Sequence, residues 1–418
     1  MDLQFKNKKI LGINGIGRIG KLTFWNQLRL GHFGGFVLNA GRKVGKSLED
    51  TIDYLIKDST YGSLNVFLYG YSGKTCEVKI VDREEGLFTI NGVQVKFLSQ
   101  ARNPRDINWA KEGVQLVIDC TGKYLDPTIP ADHPKGSVRG HLEAGAKKVI
   151  VSAPFKIKDN SKKMPEDSGM FVYGVNHMRF DPMAHHIISA ASCTTTGLAH
   201  MIKPLLETEE TSEIITASMS TVHAATNNQN ILDAPPKEGQ SDLRRNRSVF
   251  NNIIPTTTGA AIALEEILPE IKQIGFMADS VRVPVSTSSL ITLNVTFHSK
   301  LNKETGMPVI NRIFLNDIYK KAAQGAQKDL LIFSEKQNVS SDIIGFQGAI
   351  VIEGVETHTR TGFIPLSAKT LRDYGLENIS DLNIPVTHAK ICGWYDNEFG
   401  SYVNLLGKLT VYIDKNIA

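Results

Sequence analysis

Long apolar runs are missing from this sequence. No stretch of its 418 residues reaches the ~18 uninterrupted apolar residues that a membrane-spanning helix needs. The opening residues MDLQFKNKKILGING also lack the apolar core and the cleavage site of a signal peptide. We therefore expect a cytoplasmic protein that does not associate with membranes.

Cysteine is scarce as well, with four residues spread along the chain: Cys76, Cys120, Cys193 and Cys392. None belongs to a CxxC pair, so the sequence predicts neither a disulfide framework nor a zinc site. The neighbouring histidines His185 and His186 do not predict a metal site either, because adjacent side chains of a strand point to opposite faces. Each cysteine must be judged by its surroundings.

Charge of one sign is not concentrated anywhere except in short clusters. The formal net charge is +4, and the basic residues are scattered apart from KNKK near the start and DLRRNR at 242–247. This balance argues against a nucleic-acid-binding protein. It leaves room for an anionic small molecule as ligand.

The apolar segments of the first half predict a doubly wound α/β domain. A strand KKILGIN, a helix GRIGKLTFWNQLRL, a strand GGFVLNA and a helix SLEDTIDYLIKD open the chain in a βαβα order. The short apolar runs QLVIDCTG, KKVIVSAP and HHIISAAS then continue the pattern as parallel core strands. We place this domain at residues 1–192.

Longer alternating segments follow, such as EIITASMSTVHAAT and SSLITLNVTFHSK, and they predict a large mixed or antiparallel sheet. The segments TGAAIALEEILPEI and MPVINRIFLNDIYKKAAQGAQ have the spacing of helices packed on it. This indicates an α+β domain at residues 193–396. Its segment at about 355–385 has weak periodicity and is interpreted as an inserted surface excursion.

The first strand runs into Gly15-Ile16-Gly17-Arg18-Ile19-Gly20, a G-x-G-x-x-G motif at the start of a helix. Glycines in this pattern permit a tight turn and let a pyrophosphate approach backbone N–H groups at the positive end of the helix. The motif alone is weak, but the strand before it, the helix after it and the second strand favour dinucleotide binding in a Rossmann-type fold.

An acidic residue that would hold the adenosine ribose is absent from the end of the second strand, which reads Asn39-Ala40-Gly41-Arg42-Lys43. An arginine at this place can accept a 2′-phosphate, which favours NADP or the use of both cofactors. Alternatively, Arg42 and Lys43 are solvated loop charges. The choice between NAD and NADP stays open.

Cys193 is the only cysteine with polar neighbours on both sides at a strand-to-helix junction, SAASCTTTGLAH. The helix N-terminus lowers the pKa of a thiol below about 8.5, and a nearby imidazolium would lower it further. His223, at the end of a long strand, is available as a partner. For an isolated histidine the more common role is structural.

Eight motifs of this chain occur in one order: GINGIGRIG, DSTYG, the S-x-x-S-C-T-T core, TVHAATNNQ, DLRRNR, NIIPTTTGAA, VRVPV and WYDNEFG. The chain thereby resembles the phosphorylating glyceraldehyde-3-phosphate dehydrogenases over nearly its whole length. The resemblance implies oxidation of glyceraldehyde 3-phosphate with inorganic phosphate to an acyl phosphate, in glycolysis or gluconeogenesis. It also implies a homotetramer, in which a loop at about 227–252 reaches a neighbour's cofactor.

The resemblance also assigns site residues. It implies Cys193 as nucleophile and His223 as its base, Thr226 and Arg282 for the substrate phosphate, and, for the attacking phosphate, Ser192, Thr194, Thr258 and Gly259. For the cofactor it implies Gly15, Gly17, Arg18, Ile19, Arg102, Thr121, Gly122, Ser152 and Asn397. Because Asn397 lies far along the chain, the last helix, 397–418, is expected to complete the nucleotide domain. Taken singly, the threonines could instead be helix caps and Arg282 a surface charge.

This chain departs from the family pattern at several positions. The family usually has asparagine at Ala190 and Thr196, cysteine at Gly197, lysine at Ile262, tyrosine at Ser401 and aspartate at Ala40, and it is shorter at about 157–169 and 355–385. Two alternatives therefore remain: an erythrose-4-phosphate dehydrogenase with the same chemistry, and a catalytically idle relative with a binding or regulatory role. A serine hydrolase is not indicated, because G-x-S-x-G is absent around Ser192.

Overall fold

The structure is a computed structural model that describes residues 9–99, 101–159, 161–236, 238–377 and 379–417. It divides into two compact units. The first unit comprises the described parts of Met1–Cys193 and Glu398–Ala418, and the second unit those of Thr194–Asn397.

The strands of the first unit form one large sheet and one small hairpin. They are β1 (Ile10–Asn14), β2 (Gly35–Asn39), β3 (Lys57–Asp58), β4 (Gly62–Ser63), β5 (Val78–Asp82), β6 (Leu87–Ile90), β7 (Val93–Leu98), β8 (Val114–Asp119), β9 (Lys148–Val151), β10 (Ser168–Met170) and β11 (Ile187–Ser189). Among the described residues the large sheet has the order β10-β11-β9-β8-β1-β2-β7-β6-β5, and β3 pairs with β4.

Every strand pair from β10 to β7 is parallel, whereas β5, β6 and β7 pair antiparallel. β1 lies between β2 and β8, so the chain reverses direction across the sheet at this point. In open parallel sheets a crevice forms there, outside the carboxyl ends of the strands. The predicted doubly wound sheet is confirmed, and its antiparallel edge is an addition.

The helices preceding the second unit are α1 (Arg18–Leu30), α2 (Leu48–Ile56), α3 (Leu64–Tyr69) and α4 (Gly140–Glu143). α1 is capped at its C-terminus by Gly31, whose φ of 60° is the left-handed conformation that glycine adopts easily. The Ser47 side chain caps α2 by accepting a hydrogen bond from the Asp50 amide. Apolar side chains that include Trp25, Leu11 and Ile118 fill the core.

The second unit is a sheet with helices. Its elements are α5 (Cys193–Leu206), of which Cys193 itself belongs to the first unit, α6 (Glu209–Ser212), β12 (Ile214–Ala224), β13 (Ile254–Thr257), α7 (Ala260–Ile267), β14 (Gly275–Val283), β15 (Ser289–His298), α8 (Arg312–Gln324), β16 (Leu331–Ser334), β17 (Ile350–Glu353), β18 (His358–Leu366), α9 (Ala368–Asp373) and β19 (Leu382–Tyr395). Among the described residues the sheet has the order β13-β14-β12-β15-β19-β17-β16, with β18 paired to β19. β12 is parallel to β14 and antiparallel to β15, so the predicted mixed sheet is confirmed.

The segment at about 355–385 contains β18, α9 and the start of β19. β18 pairs with β19 over nine residues, from His358 to Leu366. Phe363 and Ile364, which are adjacent and therefore point to opposite faces, are 55% and 42% exposed. Both faces of the β18–β19 pair are exposed here. This explains why the segment lacks a clear alternation of apolar and polar residues.

The chain ends with a π-helical turn (Phe399–Val403) and α10 (Asn404–Lys415). The sequence predicts a plain helix over 397–418, whereas the Val403 amide bonds to the Glu398 carbonyl five residues earlier, at 2.8 Å. α10 packs on α1 so closely that a Cβ on Gly407 would lie 2.0 Å from the Asn26 side-chain oxygen. No helix in the described part of the chain is long and apolar enough to span a bilayer.

Candidate active site

The glycine motif forms a tight turn between β1 and α1. Gly15 has a φ of +91°, and a Cβ there would lie 2.9 Å from the Thr121 amide nitrogen. A Cβ on Gly20 would lie 1.9 Å from the Gly15 carbonyl oxygen. Gly17 faces open space within 4 Å, next to the first amides of a 13-residue helix. The loop therefore has both the open approach and the helix N-terminus that a pyrophosphate requires.

A buried hydrogen-bond chain supports the ends of the central strands. The Asp119 carboxylate accepts from the Asn14 amide at 2.8 Å, from the Thr121 amide at 2.9 Å and from the Thr121 hydroxyl at 2.6 Å. Behind it, Trp109 Nε1 lies 2.9 Å from His141 Nδ1, and His141 Nε2 lies 3.0 Å from Asp119. Since the indole N–H can only donate, His141 Nδ1 accepts and Nε2 carries the proton toward Asp119.

The pKa of Asp119 reflects two opposing effects. Burial raises it, but the hydrogen bonds from His141, Thr121 and Asn14 outweigh burial and lower the pKa below its usual value. Asp119 therefore stays ionised and holds Thr121 and the first strand in place. Thr121 and Gly122 follow β8, and Ser152 follows β9, with its amide bonded to the Asp119 carbonyl at 2.9 Å.

The end of β2 has no carboxylate. Asn39 is buried and bonds to Asn14 at 2.8 Å and to the Ala101 carbonyl at 3.0 Å. Gly41 has a φ of +64°, and its carbonyl accepts from Arg102 Nε at 3.1 Å. Arg42 is exposed. Two guanidinium groups therefore belong to the turn at which an adenosine ribose is expected.

The Arg18 side chain is held by carboxylates of its own unit. It donates to both oxygens of Asp58 at 3.0 and 2.8 Å and to Glu398 Oε2 at 2.8 and 2.6 Å. Its guanidinium is therefore committed to these ion pairs. A role of Arg18 and the following Ile19 in pyrophosphate binding must come from the backbone at the start of α1.

Cys193 is the first residue of the 14-residue helix α5, and it belongs to the first unit. Its side chain is partly buried and packs against the core of that unit. Ser192, just before it, is also partly exposed. The thiol therefore lies beside the first backbone amides of α5.

His223 lies on β12 in the second unit and is 4% exposed. The parallel pairing of β12 and β14 puts it opposite Arg282. Arg282 Nη1 lies 2.5 Å from His223 Nδ1 and 3.1 Å from the Ala224 carbonyl oxygen. His223 Nδ1 itself lies 2.8 Å from the same carbonyl oxygen. Burial and the Arg282 charge lower the pKa of His223 to about 3, so the imidazole is neutral near pH 7.

A tyrosine links two threonines beside this histidine. The Tyr395 hydroxyl lies 2.9 Å from the Thr194 hydroxyl and 2.9 Å from the Thr221 hydroxyl. Tyr395 is fully buried, and its ring meets the His223 ring edge to face, with centroids 6.0 Å apart. The amide and hydroxyl of Thr226 donate to Gln229 Oε1 at 2.9 and 3.0 Å.

The remaining predicted residues lie at the start of α7 and after β19. The Thr258 hydroxyl accepts from the Ala260 amide at 3.2 Å, and Gly259 is the N-cap of α7. The Asn397 side-chain oxygen accepts from the Ser289 hydroxyl at 3.1 Å. Its amide NH₂ group remains a donor of the kind that a carboxamide ligand would accept. Within the described residues, no group of three or more His, Cys, Asp or Glu could hold a metal ion.

Two family models match this chain. The model "Glyceraldehyde 3-phosphate dehydrogenase, NAD binding domain" matches residues 9–127, and the model of the C-terminal domain matches residues 192–366. The glyceraldehyde-3-phosphate dehydrogenase of Streptomyces coelicolor is 36% identical over 409 residues, which covers 97% of this chain and 99% of the relative. That of Geobacillus stearothermophilus is 34% identical and covers 96% and 97%.

The chain belongs to the glyceraldehyde-3-phosphate dehydrogenase family. The predicted family, fold class and enzyme class, an oxidoreductase with a domain for NAD, are thereby confirmed.

Within the first unit the structure places Gly15 beside Thr121, and within the second unit it places His223 beside Arg282. It also shows hydrogen-bonding partners of these residues and their neighbours that the sequence does not predict, namely Tyr395, Gln229 and the buried group of Asp119, His141 and Trp109. Tyr395 lies inside the recognised motif WYDNEFG, and its place on an alternating strand is a signal that could have identified it. For Trp109 and His141 no local signal exists, because their contact joins residues 32 positions apart.

Proposed function

We propose that this chain oxidises glyceraldehyde 3-phosphate, in the presence of inorganic phosphate, to an acyl phosphate through a thioester on Cys193. Two observations, one in each unit of a chain that belongs to this family, support the proposal. A thiol begins a long helix, and a buried imidazole is kept neutral beside an arginine. Such a thiol is a nucleophile and such an imidazole is a base.

The first step is the attack of the Cys193 thiolate on the aldehyde carbon. A carbon–sulfur bond forms as the carbonyl π bond breaks, and the oxygen, left as an alkoxide, takes a proton from solvent to become the hydroxyl of a thiohemiacetal. Oxidation to the thioester then removes a hydride from carbon and a proton from that hydroxyl. Phosphate attacks the thioester carbonyl, the carbon–sulfur bond breaks, and the acyl phosphate leaves while Cys193 returns to the thiolate.

His223 is the proposed acceptor of the hydroxyl proton. Nδ1 has a donor, Arg282, on one side and an acceptor, the Ala224 carbonyl, on the other. Nδ1 can serve only one of these partners. We assign it the proton, so that Nδ1–H donates to the Ala224 carbonyl while Arg282 donates to the same carbonyl at 3.1 Å. In this tautomer Nε2 carries no hydrogen and is the basic nitrogen. The low pKa of His223 keeps this nitrogen unprotonated at physiological pH.

Phosphate binding is assigned to Thr226 and Arg282 for the substrate, and to Ser192, Thr194, Thr258 and Gly259 for the attacking phosphate. Hydroxyls, a guanidinium and a backbone amide at the start of a helix suit a tetrahedral dianion. The Arg282 side chain contacts both His223 and a backbone carbonyl. A phosphate at Arg282 would therefore also change the electrostatic environment of the base.

The nucleotide loop fits a nicotinamide dinucleotide, because Gly17 leaves the first amides of α1 open. When bound, the nicotinamide ring supplies the hydride acceptor. Gly15, Gly17, Arg18 and Ile19 would hold the pyrophosphate, Arg102 the adenosine side, and Thr121, Gly122 and Ser152 the strand ends. The Asn397 amide would bind the carboxamide.

We further propose that NADP is used, alone or beside NAD. The end of β2 offers Ala40 and Gly41 in place of a carboxylate, with Arg42 exposed and Arg102 bonded to the Gly41 carbonyl. No negative charge on the Ala40 side chain would repel a 2′-phosphate. Either guanidinium can donate charge-assisted hydrogen bonds to it.

Ala40→Asp is expected to shift the preference toward NAD. The new carboxylate would repel the 2′-phosphate and accept from the ribose hydroxyls, so kcat/KM for NADP should fall by about 10- to 100-fold relative to kcat/KM for NAD. Steady-state kinetics with both cofactors measures this ratio. Ala40→Asn, which adds volume without charge, is the control, and an equal shift in both variants would contradict the electrostatic explanation.

The central test is phosphate-dependent reduction of the cofactor by the purified chain. Glyceraldehyde 3-phosphate and erythrose 4-phosphate are compared, each with NAD and NADP and with or without phosphate. Higher kcat/KM on glyceraldehyde 3-phosphate supports the proposal, and higher kcat/KM on erythrose 4-phosphate favours the sister activity. Absence of turnover on both, with no thiol rapidly labelled by iodoacetate, would identify an idle relative.

We also propose a homotetramer in the cytoplasm. Apolar side chains in the loop at about 227–252 are more than half exposed in the single chain: Ile231, Leu232, Leu243 and Phe250. Side chains of this kind are commonly buried at interfaces between subunits. Sedimentation velocity of the purified chain tests this, and a monomer at micromolar concentration would contradict it.

A further inference from the structure

Ala191 has an unusual backbone conformation two residues before Cys193. Its φ is +56°, a left-handed conformation that costs a non-glycine residue about 1–2 kcal/mol. Ala191 is fully buried, so solvent does not stabilise its peptide groups. A strained residue persists only when its surroundings hold it in place.

Two side chains of the first unit hold both peptide groups of Ala191. The Ser189 hydroxyl accepts from the Ala191 amide at 3.1 Å and itself donates to the Ala153 carbonyl at 2.7 Å. The Tyr402 hydroxyl donates to the Ala191 carbonyl at 3.0 Å. The turn that leads into Cys193 is therefore fixed from both sides.

Tyr402 is placed for this contact by the π-helical turn Phe399–Val403. Such a turn inserts one extra residue into a helix and rotates the residues around it, and π-turns are frequent at functional sites. The family resemblance puts a tyrosine one position earlier, where this chain has Ser401. Tyr402 is 4% exposed, and burial together with the nearby thiols Cys120 and Cys193 raises its pKa well above the usual value, so its hydroxyl remains a donor.

We propose that Tyr402 is a positioning residue for Cys193, holding the Ala191 carbonyl so that the thiol stays at the first position of α5. This inference rests on the proposed role of Cys193 as nucleophile. Tyr402 is not proposed to contact the substrate. It acts on reactivity through the backbone, because a thiol displaced from the helix start loses part of the stabilisation of its thiolate.

Tyr402→Phe keeps the ring and removes only the hydroxyl. Loss of one neutral hydrogen bond predicts a fall in kcat of about 2- to 10-fold, with KM for glyceraldehyde 3-phosphate little changed. The pH midpoint for alkylation of Cys193 by iodoacetamide should move upward. A purely structural role of the hydroxyl would lower the melting temperature without moving this midpoint.

Tyr319→Phe is the matched control. Tyr319 is also fully buried, and its hydroxyl also donates to a backbone carbonyl, that of Met201, at 2.9 Å. This carbonyl lies in α5 but away from its start, so Tyr319→Phe should lose stability while leaving the alkylation midpoint unchanged. An equal shift of the midpoint in both variants would overturn the inference.

Ala191→Gly gives a second, independent measurement. Glycine adopts positive φ without strain, so this variant should be as stable as the parent chain or more stable. The pH midpoint for alkylation of its Cys193 should nevertheless move upward. An unchanged midpoint in Tyr402→Phe and in Ala191→Gly would overturn the inference while leaving Cys193 as nucleophile. A Cys193 that resists alkylation in the parent chain itself would instead contradict the proposed function.

Discussion

Cys193→Ser is expected to lower the rate of phosphate-dependent oxidation by at least about 10⁴-fold, as loss of a catalytic nucleophile does elsewhere. A serine hydroxyl is not ionised near pH 7, and the helix N-terminus cannot lower its pKa enough to change this. An ester would also transfer its acyl group to phosphate more slowly than a thioester does. The measurement is reduction of NAD or NADP with saturating aldehyde and phosphate.

Cofactor binding should survive in this variant, because the glycine loop and its support lie on β1, α1 and β8. Titration of the variant with NAD and NADP checks this. Cys76→Ser is the matched control: Cys76 is another partly buried thiol, but burial raises its pKa above the usual value. Residual activity of Cys193→Ser above a few per cent, or inactivation by Cys76→Ser, would contradict the assignment of Cys193 as the nucleophile.

Most of the first unit could be predicted from the sequence, because short stretches of neighbouring residues determine its strands and its glycine turn. Strands such as β1, β8 and β9 are buried on both faces and therefore read as continuous apolar runs. The glycine motif is equally local, since Gly15 and Gly20 are fixed by their immediate neighbours in the turn. Helix boundaries are predicted less well. The apolar pattern of α7 continues to residue 271, but the helix ends at Ile267, shortly before Pro269.

The missed parts of the site depend on contacts between distant segments. Arg282 meets His223 because β12 and β14 pair in parallel with this register, across 59 positions of sequence. No periodicity in either strand encodes which residues will face each other. The positive φ of Ala191 could not be predicted from the sequence either. Alanine does not favour this conformation, and the Tyr402 hydroxyl that bonds to the Ala191 carbonyl lies 211 positions away in the sequence.

The protonation state of His223 depends on its contact with Arg282 and can be tested. Burial is the larger cause of the low pKa of His223, and the Arg282 charge is the second. Since the unfolded chain would bind a proton at His223 near pH 6.5 and the folded chain only near pH 3, the stabilising contribution of the neutral ring is present above pH 6.5. It is lost as the pH falls from there toward 3.

His223→Asn is expected to lower kcat by about 10²- to 10⁴-fold, the usual contribution of a general base. The parent chain should show no loss of kcat between pH 8 and pH 5 that could be assigned to His223, because its pKa of about 3 lies below this range. Asparagine keeps a donor and an acceptor near the Ala224 carbonyl, so the fold should tolerate the change. Retention of more than about a tenth of the activity would be outside the range for a general base and would exclude His223 from proton transfer.

Arg282→Gln separates the charge of the arginine from burial. Removing the positive charge should raise the pKa of His223, while burial should still keep it below 6.5. The measurement is the NMR titration of the His223 ring in the parent chain and in the variant, without substrate, so that lost phosphate binding does not interfere. A titration of His223 near pH 6.5 in the parent chain would refute the neutral, buried base, and an identical pKa in both proteins would show that the Arg282 contact does not control it.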